Sequence, residues 1–206
     1  MKSGSVKLAI IVVLVIAVVL VAFIVLKKEK VVEPPPAPAV IKEVDPRHSI
    51  IGKSVEGRSI ESFTYLPDRQ AGGSDTIHLA FVGGIHGGYE ENSVRLAYQL
   101  MTYLKTYPET VPGNVTLTII PSANPDGVAK VVGKKGDETI PGRFNANGVD
   151  LNRNFDCKWQ AQATWRGNKV SAGTSAFSEP EAKAIRDFTS STKPKAVIFW
   201  HSQANA

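Results

Sequence analysis

Cysteine is almost absent from this chain. Cys157 is the only one in 206 residues, so no disulfide can form within it, and cysteine usage assigns no compartment. Strong charge of one sign is missing too. The formal net charge is +5, but five lysines (Lys2, Lys7, Lys27, Lys28, Lys30) and two acids (Glu29, Glu33) fall within the first 39 residues. The remaining 19 bases face 17 acids, a balance with no electrostatic footprint for nucleic acid, and no such partner is expected. Internal repeats are lacking. Apolar content of 43% and charged content of 21% are those of a globular protein and exclude a disordered chain.

What is present begins with Leu8 to Leu26, an apolar run free of charge, glycine and proline. At about 1.5 Å per helical residue it is long enough to cross the hydrocarbon core of a bilayer. A cleaved signal peptide is the competing reading. It usually has a shorter apolar region followed by small residues, whereas Lys27-Lys28-Glu29-Lys30 follows here. The expected organisation is a short segment 1–7, a transmembrane anchor 8–26, a stiff Pro-rich linker 27–43 containing Glu33-Pro34-Pro35-Pro36-Ala37-Pro38, and one domain 44–206. That makes a single-pass membrane protein with its domain outside the cytoplasm, although lysines on both sides of the span leave its orientation undecided.

In the domain, Ile50 to Arg58 reads as a turn followed by a strand, Ile60 to Tyr65. Thr76 to Val82 is a buried strand closed by Gly83-Gly84. From Glu90 to about Tyr107, apolar residues at Val94, Ala97, Tyr98, Met101 and Leu104 mark one helical face. Val115 to Ile120 is a strand. Ser178-Glu179-Pro180-Glu181 predicts a capping box opening a helix to about Phe188, and Lys195 to Trp200 a further buried strand. Strands alternating with helices indicate an α/β sheet.

Four blocks carry chemistry. Gly84-Ile85-His86-Gly87-Gly88-Tyr89-Glu90 and Phe199-Trp200-His201-Ser202 supply two imidazoles and a carboxylate after buried strands, a ligand set suited to a catalytic Zn²⁺. Taken alone, His86 and Glu90 also fit a hydrogen-bonded surface pair; His201 adds the long-range third ligand. His48 and His78 are read as structural. Asn124-Pro125-Asp126-Gly127 is by itself a turn signal. In Gly148-Val149-Asp150-Leu151-Asn152-Arg153-Asn154-Phe155, Asn152 and Arg153 offer a two-pronged clamp for a carboxylate, or a solvated loop. Arg143 is either an oxyanion stabiliser or a solubilising surface charge.

Taken together, these blocks, with Ile51-Gly52-Lys53-Ser54-Val55-Glu56-Gly57-Arg58 at the start and Phe177-Ser178-Glu179-Pro180-Glu181 near the end, resemble the zinc carboxypeptidase family of the carboxypeptidase A type. The resemblance implies a three-layer α/β/α fold, a mixed sheet between helix layers, incomplete at the C-terminus. It implies His86, Glu90 and His201 as zinc ligands, Asn152 and Arg153 as the clamp for the substrate's terminal carboxylate, and Arg143 as the oxyanion group. The expected partner is a peptide with a free C-terminal carboxylate, cell-wall peptides included.

Three departures from the family pattern stand out. Its first two ligands are usually spaced His-x-x-Glu, whereas here Glu90 is the fourth residue after His86, with Glu91 as the fallback ligand. The arginine some members place between them is replaced by Gly87-Gly88. The family's general-base glutamate and substrate-covering tyrosine lie beyond the third ligand, and only Ser202 to Ala206 follow His201. The expectation is a membrane-anchored zinc metallocarboxypeptidase in which this chain, lacking the general-base region, is inactive alone. The alternatives are a non-catalytic zinc- or peptide-binding membrane module and a zinc-dependent amide deacylase.

Overall fold

In the computed structural model, residues 45–66, 76–131 and 142–202 are described, all within the unit Val44–Ala206. The apolar run 8–26 and the Pro-rich linker lie outside the described residues. Among those described, no helix is long and apolar enough to cross a membrane.

Five strands build one mixed sheet: β1 (His48–Lys53), β2 (Ser59–Tyr65), β3 (Ile77–Val82), β4 (Val115–Ile120) and β7 (Ala196–Phe199), in the order β1-β2-β4-β3-β7. The β1–β2 and β2–β4 pairs are antiparallel, while β3 runs parallel to both β4 and β7. Strands β5 (Gln162–Trp165) and β6 (Asn168–Ser171) form a separate hairpin. The long helices are α1 (Glu91–Thr106) and α3 (Pro180–Thr192), with the short α2 (Pro125–Ala129) between them in sequence.

Strand periodicity decides which helix meets which face. In β3, Leu79 and Phe81 join the cluster under α1 with Ala97, Leu104, Leu117 and Ile119. Ala80 and Val82 join the opposite cluster under α3 with Ile60, Ile120, Ile185 and Phe188. The sheet therefore lies between helix layers, as expected. Each fully buried aliphatic side chain in these clusters contributes about 1.5–3 kcal/mol. Tyr98, expected on the buried face of α1, stays 46% exposed at its rim.

Several elements differ from their sequence reading. The first half of the stretch read as a turn is strand: β1 continues through Ile50 to Lys53, with a bulge between Ile50 and Gly52 that interrupts its alternation. Gly52 lets β1 press against α3, because a Cβ there would lie 2.5 Å from the Ala184 Cβ. The helix at Pro180 forms without the predicted capping box. Its N-cap is Glu179, with no side-chain cap bond, and Ser178 Oγ donates to Glu179 Oε1 at 2.7 Å instead. Glu181 turns inward, accepting from Val55 N and Asn145 Nδ2, both at 3.1 Å, and burial pushes its carboxyl up from the usual range. The helix runs on to Thr192, where Lys193 turns left-handed (φ 47°). β7 is half exposed rather than buried: Ile198 is 41% exposed, and among the described residues only β3 pairs with β7.

Candidate functional site

β3 and β7 are parallel neighbours, so the segments leaving their C-terminal ends emerge side by side. After β3 the chain turns through Gly83-Gly84, whose backbone holds Ala123 and Asn124, and enters a 3₁₀ turn, Gly87–Glu90, that leads into α1. This turn is packed main chain to main chain. A Cβ at Gly87 (φ 46°) would lie 2.6 Å from the Gly142 carbonyl oxygen and 2.7 Å from Gly127 Cα, and Gly127 and Gly142 (φ 85°) would overlap each other in the same way.

On this support His86 and Glu90 are both buried, and His201 approaches from the end of β7 with its side chain 26% exposed. The Glu90 carboxylate lies between the two imidazoles: Oε1 is 2.8 Å from His86 Nδ1, and Oε2 is 3.0 Å from His201 Nδ1. One ligand atom from each residue falls within 4.8 Å of the others. Burial alone would raise the Glu90 carboxyl, but hydrogen bonding to His201 and His86 outweighs it and brings it down to about 2. The sequence-designated ligand residues are thus brought together. Glu91 is exposed at the start of α1 and is not in this group.

Behind the cluster lies Asp150, fully buried, which the sequence reading did not single out. Its Oδ1 is 3.3 Å from His86 Nε2, close but misaligned for a hydrogen bond, and accepts from Asn152 N at 3.1 Å. Its Oδ2 accepts from Arg143 Nη2 at 2.8 Å. Burial opposes its ionisation, and His86 and Arg143 more than compensate, holding the carboxyl below its ordinary range. One carboxylate therefore anchors an arginine and the loop bearing Asn152 and Arg153, and lies against an imidazole, the place from which a carboxylate can steady a histidine for metal ligation. His86 Nε2 has no hydrogen-bond partner among the described residues. Two imidazoles and a carboxylate, one ring backed by a second carboxylate, fit zinc with a position left for water.

Arg143 is 2% exposed, so the solvated reading of this residue does not hold. Its guanidinium lies 4.1 Å from the centroid of the Trp165 ring and 5.6 Å from that of Tyr89. Arg143, Asn152 and Arg153 line, with the His-Glu-His cluster, a cavity of about 270 Å³. A larger adjoining cavity of about 610 Å³ shares Asn152 and Arg153 but is lined by no histidine or acid, so the chemistry belongs to the smaller. Arg153 donates to the carbonyls of Asn152 (3.1 Å) and Thr164 (3.3 Å), and no carboxylate of the described residues lies within ion-pair range of it. Tyr89, Trp165 and Arg166 also line the site, and sequence reading missed all three. The signal for the last two was Arg166-Gly167, a two-residue hairpin turn before Asn168. Elsewhere, His48 pairs with Glu61 (3.1 Å) and His78 contacts Thr118 (2.9 Å), both remote from the cavity lining.

The zinc carboxypeptidase family profile matches residues 46–206. The catalytic chain of human carboxypeptidase N is 35% identical over 114 residues, covering 51% of this chain and 25% of that protein. Gamma-D-glutamyl-L-diamino acid endopeptidase 1 of Lysinibacillus sphaericus is 31% identical over 108 residues, covering 43% of this chain and 27% of that protein. Among solved structures, carboxypeptidase A of Helicoverpa armigera superposes with a TM-score of 0.54 at 27% identity, over 75% of this chain and 40% of that one. The chain spans about a quarter of the length of these curated relatives.

Proposed function

This chain belongs to the zinc carboxypeptidase family, a zinc-dependent one, and from that premise we propose that it is the ligand-bearing part of a membrane-anchored metallocarboxypeptidase that removes C-terminal residues from peptides. The observation carrying the reading is the single cavity lined both by His86, Glu90 and His201 and by Asn152 and Arg153. Bound there, zinc supplies a Lewis acid and a water acidified toward neutrality. The protein residues do the rest. Glu90 and the two imidazoles would hold the metal, with Asp150 lying against the His86 ring. Arg153, with Asn152 beside it, receives the terminal carboxylate and so sets which peptide bond faces the His-Glu-His cluster. Arg143, fixed by Asp150 and Trp165, faces the cavity where negative charge develops on the scissile carbonyl oxygen.

Replacing Arg153 with Ala in the complete protein is expected to lower kcat/KM for free-carboxylate peptides about 10²–10³-fold, since two charge-assisted hydrogen bonds are lost. The C-terminally amidated peptides should lose little. Comparing the two substrate series checks the clamp, and equal losses on both would sink it.

The anchor is proposed from the uncharged run Leu8 to Leu26, which would tether the domain outside the cytoplasm. The protein should then remain in the membrane fraction through a high-salt wash and leave only with detergent. Release by salt, or a mature N-terminus near Val40, would remove the anchor from the reading.

A further inference from the structure

Three residues separate His86 from Glu90, and two of them are held to glycine by main-chain packing. A Cβ at Gly87 would lie 2.6 Å from the Gly142 carbonyl oxygen; one at Gly88 would overlap the Val131 side chain and lie 2.9 Å from the Gly127 carbonyl oxygen. Of the three, Tyr89 is the residue whose side chain lines the cavity of the His-Glu-His cluster. There it meets two groups. Its ring stands edge-on to that of Trp165, with centroids 5.6 Å apart and planes at 89°. Its centroid is also 5.6 Å from Arg143 Cζ, and Arg143 Cζ is 4.1 Å from the Trp165 centroid. The two rings and the guanidinium each touch the other two.

Hydrogen bonding alone leaves this guanidinium underdetermined. Among the described residues its side chain makes one hydrogen bond, from Nη2 to Asp150 Oδ2 at 2.8 Å, while Nε is buried without a partner. A bond at one corner of a planar fork fixes a position and leaves the plane free to turn. The rings set that plane, and their attraction for a cation is stronger away from water, where Arg143 is 2% exposed. Trp165 needs support of its own. It belongs to β5, in a two-stranded hairpin separate from the main sheet, and such hairpins hold their shape poorly without outside packing. Tyr89 supplies that packing from the turn between His86 and Glu90.

We propose that Tyr89 is a positioning residue that acts through Arg143: with Trp165 it braces the guanidinium so that its free donors meet the charge developing on the scissile carbonyl oxygen. The proposal rests on the carboxypeptidase reading of the same cavity. It gives the long spacing from His86 to Glu90 a use. With both glycines committed to main-chain contact, the added position is what lets a ring from this turn reach Arg143.

The test is a double-mutant cycle read by affinity. The zinc-loaded 206-residue chain is titrated with acetyl-Ala-Ala and with its phosphinic analogue, in which a tetrahedral phosphinate and a methylene replace the scissile amide. Only the analogue carries the charge that Arg143 would meet, and it should bind the unmodified chain more tightly. Tyr89→Ala should weaken the analogue about fivefold, the size of a cation–π contact, and the peptide less than about twofold. Tyr89→Phe, which keeps the ring, should match the unmodified chain. In an Arg143→Ala background Tyr89→Ala should cost less than about twofold on either ligand, because a residue acting through a group is silent without it. Equal losses on both ligands, a loss that persists without Arg143, or a loss in Tyr89→Phe as large as in Tyr89→Ala would overturn the proposal. Should Tyr89→Ala fail to fold, Tyr89→Leu takes its place, filling volume without a ring. If the analogue binds the unmodified chain no more tightly than the peptide, the carboxypeptidase reading of Arg143 fails, and magnetic resonance then decides the brace. The Arg143 Nε proton, identified by its loss in Arg143→Ala, should lie upfield under the Trp165 ring and move toward that of the exposed Arg95 in Tyr89→Ala. A resonance that stays in place would overturn the brace as well.

Discussion

Replacing Glu90 with alanine is expected to weaken zinc binding more than about a hundredfold. Removing a residue that only orients a ligand already costs about 10–100-fold, and Glu90 touches both imidazoles directly. Without it, His86 and His201 remain as a two-nitrogen site with ring centroids 5.0 Å apart. With its carboxyl held near about 2, Glu90 stays ionised at any ordinary assay pH, so its replacement by a neutral group removes a full charge. Competition against a chromophoric chelator measures the effect. Glu91→Ala, altering an exposed carboxylate one residue later, should leave zinc affinity within about twofold. The opposite ranking of the two variants would transfer the ligand role to Glu91.

The second large effect concerns turnover. The zinc-loaded 206-residue chain is expected to bind peptides yet cleave them about 10²–10⁴-fold more slowly than a family relative assayed alongside, the contribution of a positioned general base. Among the described residues Glu90 is the only carboxylate lining the cavity, and it belongs to the three-residue group that could hold a metal. Asp150 is taken up by Arg143, His86 and the Asn152 amide, and Glu91 faces solvent. The non-catalytic binding module expected as an alternative is what this chain would then be by itself. Chelator-sensitive release of C-terminal residues by purified 44–206, at a rate like the relative's, would refute this.

Legibility in the sequence followed burial pattern. Leu79 to Val82 of β3 are apolar on both faces because helices cover both, and an apolar run closed by glycines announces such a strand; β4 alternates instead, Leu117 and Ile119 with Thr116 and Thr118, and is closed by Pro121. The face of α1 was legible because Val94, Ala97 and Leu104 keep helical spacing. β1 was not, since its bulge breaks the alternation. Nor was the β5–β6 hairpin, where Gln162, Thr164 and Lys169 stand exposed and leave no apolar rhythm to read. At the site, the sequence reading grouped His86, Glu90 and His201, and the fold brings their side chains together. Residue type did not decide Arg143, whose burial depends on Trp165 and Asp150, partners brought near only by folding. The capping box misled for the same reason: a capping acid and an acid bonded to a distant amide have identical local sequence, and Glu181 is the second kind.

The glycine junction beneath the metal site has a consequence for how this protein can drift. Side chains at an interface act as springs, able to change rotamer when a neighbour grows. Gly87, Gly127 and Gly142 meet backbone to backbone and have no such compliance. A single added methyl group must move one main-chain segment bodily, and the segments concerned carry His86 and Glu90 on one side and Arg143 on the other. Variation there is all or nothing, so the spacing between the segment of His86 and Glu90 and that of Arg143 is inherited as a rigid unit.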